Sequence, residues 1–263
     1  MAGDLGPPRS DFVEEAQRIL EAAKDRAIVL RLMGAVALRI HSPKYGYLQE
    51  SLGRQFSDID FVSYSRHQHA VEVLFRDLGY SYDPIAAKVF AIEFGYSRRL
   101  TFTDPEHGRH SDIFFDALEF SHIIPLGDRL QVDYPTLPLA ELLLSKMQIA
   151  KLTKKDVIDT IMLLREHEVG ETDKETVNAK RIARLCAADW GFWRTVTGNL
   201  NTTMEHMLSY TQLTESDKED LRRKIVKIIE YLEKEPKPLS WKIRSVVGEK
   251  KKWYQDVEEV SRG

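Results

Sequence analysis

Two carboxylates set two residues apart in an apolar run, Phe56-Ser57-Asp58-Ile59-Asp60-Phe61, constrain this chain more than any other feature. On a strand, residues i and i+2 share a face, so Asp58 and Asp60 stand side by side while Ile59 and Phe61 point the other way, into a core. A strand with one wet face has the same pattern. Phe56 and Val62, however, fall on the aspartates' face, and charge in a partly apolar setting is costly without a compensating partner. Two hard oxygen ligands together suit magnesium or manganese, and metal ions would supply that compensation.

Upstream, Ile28 to Leu32 reads as a short strand running into Gly34 and then a helix start, Ala35-Val36-Ala37-Leu38. A glycine lets a phosphate approach the backbone, and the amides from Ala35 onward point at whatever sits there. The same order also describes a plain tight turn. A third acidic ligand is sought on a neighbouring strand, and His110-Ser111-Asp112-Ile113-Phe114-Phe115-Asp116 offers two aspartates on one face, about 13 Å apart. One metal centre uses only one of them. Asp112 leads its apolar strand as Asp58 leads its own, so it is chosen; Asp116, at the exit, reads as a turn residue.

Cations are needed for a triphosphate. Lys146 lies in the apolar helical stretch Leu142-Leu143-Leu144-Ser145-Lys146-Met147, where a lysine either snorkels to water or has a buried partner. Thr153-Lys154-Lys155-Asp156-Val157-Ile158-Asp159 reads structurally as a capping box, Thr153 capping and Asp156 closing back on it. Asp156 and Asp159 also share one helix face, so either could orient Lys146 or Arg54. His67, His69, His107 and His110 come without cysteines in turn-like segments and do not form a zinc pattern.

The 263 residues suit one large domain or two modest ones, with 43% hydrophobic and 30% charged residues and no low-complexity bias. A net charge of −3 gives no global field for polyanions, so RNA contact would need a local basic patch. Lys250-Lys251-Lys252 is read as a solvated helix face. No apolar run approaches the roughly 18 residues of a membrane span, and the N-terminus does not read as a signal peptide, so the expectation is a cytoplasmic protein away from the membrane. The single cysteine, Cys186, reads as a small buried hydrophobe.

The periodicity predicts an opening helix capped by Ser10, a loop from His41 to Gly53, a helix ending near Gly79, and strands at 89–94, 100–103, 111–115 and 130–134. Beyond Leu139 it predicts helices at 139–150, 154–165, 176–188 and 216–232, a Trp-rich segment around 190–193, a last segment at 240–260 and no convincing strand. The expected fold class is α/β: a mixed-sheet core over 1–135 and an all-helical region over 136–263.

Leu32-Met33-Gly34, Arg54 followed by Asp58-Ile59-Asp60-Phe61, Leu137-Pro138 with Leu142-Leu143-Leu144-Ser145-Lys146, and Lys155-Asp156-Val157-Ile158-Asp159 together resemble the AbiEii-type nucleotidyltransferases of the polymerase-beta-like superfamily. The resemblance covers roughly residues 25 to 165 and rests on order and spacing. It implies a minimal nucleotidyltransferase core and magnesium-dependent transfer of a nucleotide from a nucleoside triphosphate such as ATP. It further implies a toxin or defence component with an antitoxin partner and an acceptor that is a tRNA or a protein. By position, Asp58 and Asp60 carry over as metal ligands, Gly34 as the triphosphate-turn glycine, Lys146 as the phosphate-binding lysine and Asp156 as the acidic residue of the helix motif. Asp112 then joins the metal set as the base for the acceptor hydroxyl, and Ala35 and Arg54 join Gly34 and Lys146 at the nucleotide. The chain departs from the family in its turn, which lacks a second glycine followed by Ser or Thr, in Lys155 where arginine is usual, and in Ser57, one place out of register. These departures motivate two alternatives: a degenerate binding or regulatory module, or an enzyme acting on a small, antibiotic-type acceptor.

Overall fold

A computed structural model describes residues 6–82 and 99–256. The chain is mixed α/β. It divides into two compact units, one made of 1–40, 55–118 and 125–137, the other of 41–54, 119–124 and 138–263.

The first unit is built on a five-stranded mixed sheet. Its strands are β1 (Leu30–Met33), β2 (Asp58–Ser63), β3 (Ser81–Tyr82), β4 (Arg99–Thr103) and β5 (His110–Phe115), in the order β1-β2-β5-β4-β3. Only the β2–β5 pairing is parallel; β1–β2, β4–β5 and β3–β4 are antiparallel. Because side chains alternate along each strand, the register sorts residues onto two faces. Ile59, Phe61, Ile113, Phe115, Leu100 and Phe102 share the apolar face, all 2% exposed or less. Phe75 of the helix Gln68–Asp77 stacks on Phe102 with ring centroids 4.6 Å apart and meets Phe61 edge-on at 6.0 Å. The opposite face carries Asp58, Asp60, Arg99, Thr101, His110 and Asp112.

Several expectations need correction. Asp11, not Ser10, caps the first helix, Phe12–Asp25: its Oδ1 accepts from the Val13 and Glu14 amides at 2.9 Å, one place nearer the helix than the serine. The segment His41 to Gly53 is not all loop, since Tyr47–Ser51 forms a short helix that buries Leu48 and Gln49. No strand forms at 130–134; turns and bends occupy it, and Thr136 alone bridges Leu32. The expected strand at 89–94 lies outside the described residues.

The second unit is mainly helical, with helices Leu139–Met147, Lys154–Glu166, Ala179–Ala188, Trp190–Met207, Glu215–Lys234 and Leu239–Val247. It is not strand-free. Glu168–Gly170 pairs in parallel with Thr176–Asn178, and Asn178 caps the helix that was expected to begin at Thr176. The Trp-rich segment opens an 18-residue helix, capped by Asp189. The Lys250-Lys251-Lys252 run is exposed, as expected, but lies past the last α-helix: Lys250 ends the 3-10 turn Gly248–Lys250, and Lys251 and Lys252 follow it. Cys186 is fully buried, and that burial raises its thiol pKa. Among the described residues no helix is long and apolar enough to cross a membrane.

The β4–β5 hairpin is locked at its turn, where the fully buried Asp104 carboxylate accepts from the Glu106 amide at 2.9 Å, His107 Nδ1 at 2.8 Å and Arg109 Nη2 at 2.9 Å. Burial pushes its pKa up, but the His107 and backbone hydrogen bonds and the Arg109 charge outweigh this and hold it below the ordinary carboxylate value. A depressed folded-state pKa contributes stability that is present above the unfolded value of about 3.9 and is lost as pH falls through the folded value. Asp104→Asn is expected to cost about 3 kcal/mol at pH 7, since it leaves buried Arg109 without its carboxylate. In urea melts the gap between wild type and variant should narrow below about pH 4.

Candidate functional site

Two clusters of charged groups, one in each unit, contain the residues singled out from the sequence. In the sheet unit, β2 and β5 lie in parallel register with Asp60 opposite Asp112 and Asp58 opposite His110. Residues opposite one another share a face at the strand spacing of about 4.8 Å, so Asp58, Asp60 and Asp112 line one patch of the polar face. Asp112 thus neighbours the Asp-Ile-Asp pair. Asp116 does not: it sits past the end of β5 in a left-handed conformation (φ 61°), and its Oδ1 accepts from the Ser65 amide.

Gly34 begins the helix Gly34–His41 directly after β1, with φ 72°. Met33 of β1 is the register partner of Asp60, which brings the glycine under the aspartate. A Cβ on Gly34 would lie 2.8 Å from Asp60 Oδ2, well inside van der Waals contact. Conformation and space therefore both require glycine here, and the requirement comes from the carboxylate itself. Ala35 follows as the second helical residue, buried.

The carboxylate oxygens of Asp112 already have partners. Thr101 Oγ1 donates to Oδ1 at 2.7 Å, and Arg99 Nη2 pairs with Oδ2. Both come from β4, where Thr101 is the register partner of Asp112. The Arg99 guanidinium also lies over the Phe114 ring, 5.2 Å from its centroid. Sequence reasoning missed both residues. The signal was present in the Asp104–Gly108 turn, which pairs Thr103 with His110 and hence Thr101 with Asp112.

The donor set suits magnesium or manganese: three hard carboxylates on one face, one of them, Asp60, seated in the space that Gly34 leaves by lacking a Cβ. As the side chains stand, no group of three or more His, Cys, Asp or Glu among the described residues is arranged to hold a metal ion. Asp112 is turned toward Thr101 and Arg99, so it would have to be shared or released to join Asp58 and Asp60. The histidines are engaged separately: His67 Nδ1 accepts from the Val29 amide at 3.1 Å, His107 is bound to Asp104, and His110 to Thr103.

The second cluster lies in the helical unit and centres on Asp159, which is fully buried. Lys146 Nζ is 2.9 Å from Asp159 Oδ2 and 3.7 Å from Asp156 Oδ1. Arg54 Nε and Nη2 lie 3.4 Å from Asp159 Oδ2, and Gln49 Nε2 donates to Oδ1 at 3.2 Å. Lys146 is therefore not a snorkelling side chain. Burial lowers its pKa, but Asp159 and then Asp156 more than offset this and hold it above the ordinary lysine value. Asp156 forms the capping box with Thr153, its Oδ2 accepting from the Thr153 amide at 3.1 Å and hydroxyl at 2.7 Å, and its second oxygen faces Lys146. The sequence left either Asp156 or Asp159 to orient these cations; Asp159 lies closer to Lys146 and also holds Arg54. No protein-family model and no curated protein matches this sequence.

Two variants test this geometry. Gly34→Ala should cost about 1–2 kcal/mol in stability from backbone conformation alone and displace the Asp60 carboxylate, read by urea denaturation and by the Asp60 side-chain resonance. Asp159→Asn removes the charge shared by Arg54 and Lys146 and should cost about 3–5 kcal/mol, the range for breaking a buried pair, measured by the same melts.

Proposed function

We propose that this protein is a metal-dependent nucleotidyltransferase that moves a nucleoside monophosphate from a nucleoside triphosphate to an acceptor hydroxyl. The observation that carries the reading is the register of Asp60 against Asp112, with Asp58 two residues along and the Gly34 backbone folded against Asp60. Asp58 and Asp60 would hold magnesium or manganese, which when bound supplies Lewis-acid activation of the acceptor oxygen and neutralises the leaving pyrophosphate. Asp112, nearest in register, is the candidate base for the acceptor hydroxyl. Gly34 and the amides from Ala35 onward are the candidate phosphate cradle, a helix start beside the Asp60 carboxylate. The sequence resemblance adds Lys146 and Arg54 as phosphate-binding cations, Asp156 as an acidic motif residue, and a tRNA or protein acceptor in a toxin or defence system with an antitoxin partner.

A second reading, a nucleotidyltransferase-like module that binds without turnover, draws support from Asp112 itself, whose oxygens are engaged by Thr101 and Arg99. Both readings are separated by one experiment. The protein is incubated with magnesium, each of the four α-labelled nucleoside triphosphates, and total tRNA or the protein alone as acceptor. Asp58→Ala and Asp60→Ala, checked by circular dichroism, serve as controls. Label in one acceptor, falling at least about a hundredfold in either variant, is the expected result. Transfer retained in either control would overturn the enzymatic reading; triphosphate binding without transfer to either acceptor would favour the binding module or a small-molecule acceptor.

A further inference from the structure

Asp112 presents a physical problem. It is 4% exposed, and its register neighbour Asp60 carries the same charge across one strand spacing. Two carboxylates in that position repel, and a buried one needs an opposite charge close by. Arg99 meets that need. Its guanidinium takes Oδ2 of Asp112, Thr101 takes Oδ1, and the planar group rests on Phe114, so its position is fixed by packing as well as by charge. A divalent ion bound between Asp60 and Asp112 would put a second positive centre within a few Å of this guanidinium.

We propose that Arg99 is the resting counter-ion of Asp112 and that a divalent metal must displace it before that carboxylate can serve as a ligand. The inference rests on the nucleotidyltransferase reading of this face and adds a residue that the reading did not contain. Arg99 would then act as a positioning residue: it stabilises the metal-free sheet, weakens metal binding by competition, and once displaced is a guanidinium beside a site that receives polyphosphate. Competition of this kind makes metal affinity a function of residue 99. It also makes the loss of Arg99 more damaging without metal than with it.

Mn2+ binding to the full-length protein, measured by electron paramagnetic resonance of the free ion, tests this without reference to turnover. Arg99→Met keeps the length of the side chain and removes its charge; its dissociation constant for Mn2+ should fall by about tenfold or more, the equivalent of one hydrogen bond to a charged group. Arg99→Lys restores a cation and should return the constant toward wild type. Asp60→Asn should weaken binding in every background. An unchanged or raised constant in Arg99→Met, with wild type still binding Mn2+ through Asp60, overturns the role of Arg99 and leaves the metal site standing. Absence of Mn2+ binding in all variants overturns both. Should Arg99→Met fail to fold, the unmodified protein carries the test: the Arg99 Nε–H resonance of 15N-arginine-labelled protein, assigned with Arg99→Lys, should shift and exchange faster at saturating Mg2+. A resonance unmoved while Mg2+ binds overturns the proposal.

Discussion

Placing Asp60 beside Asp112 is the constraint around which the sheet unit is organised. One parallel pairing in an otherwise antiparallel sheet sets two carboxylates in register, and the cost of that placement has to be met locally. The chain meets it with Arg99 and Thr101 from β4, brought opposite β5 by a hairpin that Asp104 locks. The same arrangement demands glycine at position 34, because the Asp60 carboxylate occupies the space a Cβ would take. The apolar face of the sheet, with Phe61, Phe75 and Phe102 interlocked, supplies the stability against which this polar face can be held.

In the helical unit the relation is reversed, with one buried carboxylate serving two cations. Asp159 has no exposure and holds both Lys146 and Arg54, and Asp156 beside Lys146 brings the count to two carboxylates against two cations. Such a network adds little net stability over an apolar core but fixes its members in place, and removing one leaves the others uncompensated. Burial lowers the Lys146 pKa, and the two aspartates that share its field more than offset this. Asp156 does double work there: it closes the capping box that starts the helix Lys154–Glu166 and turns its other oxygen toward Lys146.

How much of this was legible varies with the range of the interactions involved. The strand-glycine-helix order around Gly34, the Asp-Ile-Asp strand and the Thr153–Asp156 capping box were readable because each is decided within a few residues. The first helix cap was misplaced by one residue because Ser10 and Asp11 are both good caps and only the amide geometry chooses Asp11. The expected strand at 130–134 failed for a related reason: its apolar spacing suggested a ladder, but pairing is a property of neighbours, and the backbone bonds to β1 come just past it, where Leu32 bonds to Pro135 and Leu137 around the Thr136 bridge. The strand pair 168–170 and 176–178 went unseen because three-residue strands carry too short a pattern to register.

The sequence alone determined the alternation that gives β2 one apolar and one acidic face, the glycine that ends β1, and the place of a lysine in an apolar helix, where it either reaches water or needs a partner. These are consequences of period and side-chain chemistry. The tertiary structure alone decided that Asp112 stands beside Asp60 and that Asp159 holds Lys146 and Arg54. Register between strands distant in sequence, and the convergence of side chains from separate segments, depend on how the whole unit packs; no local pattern encodes them.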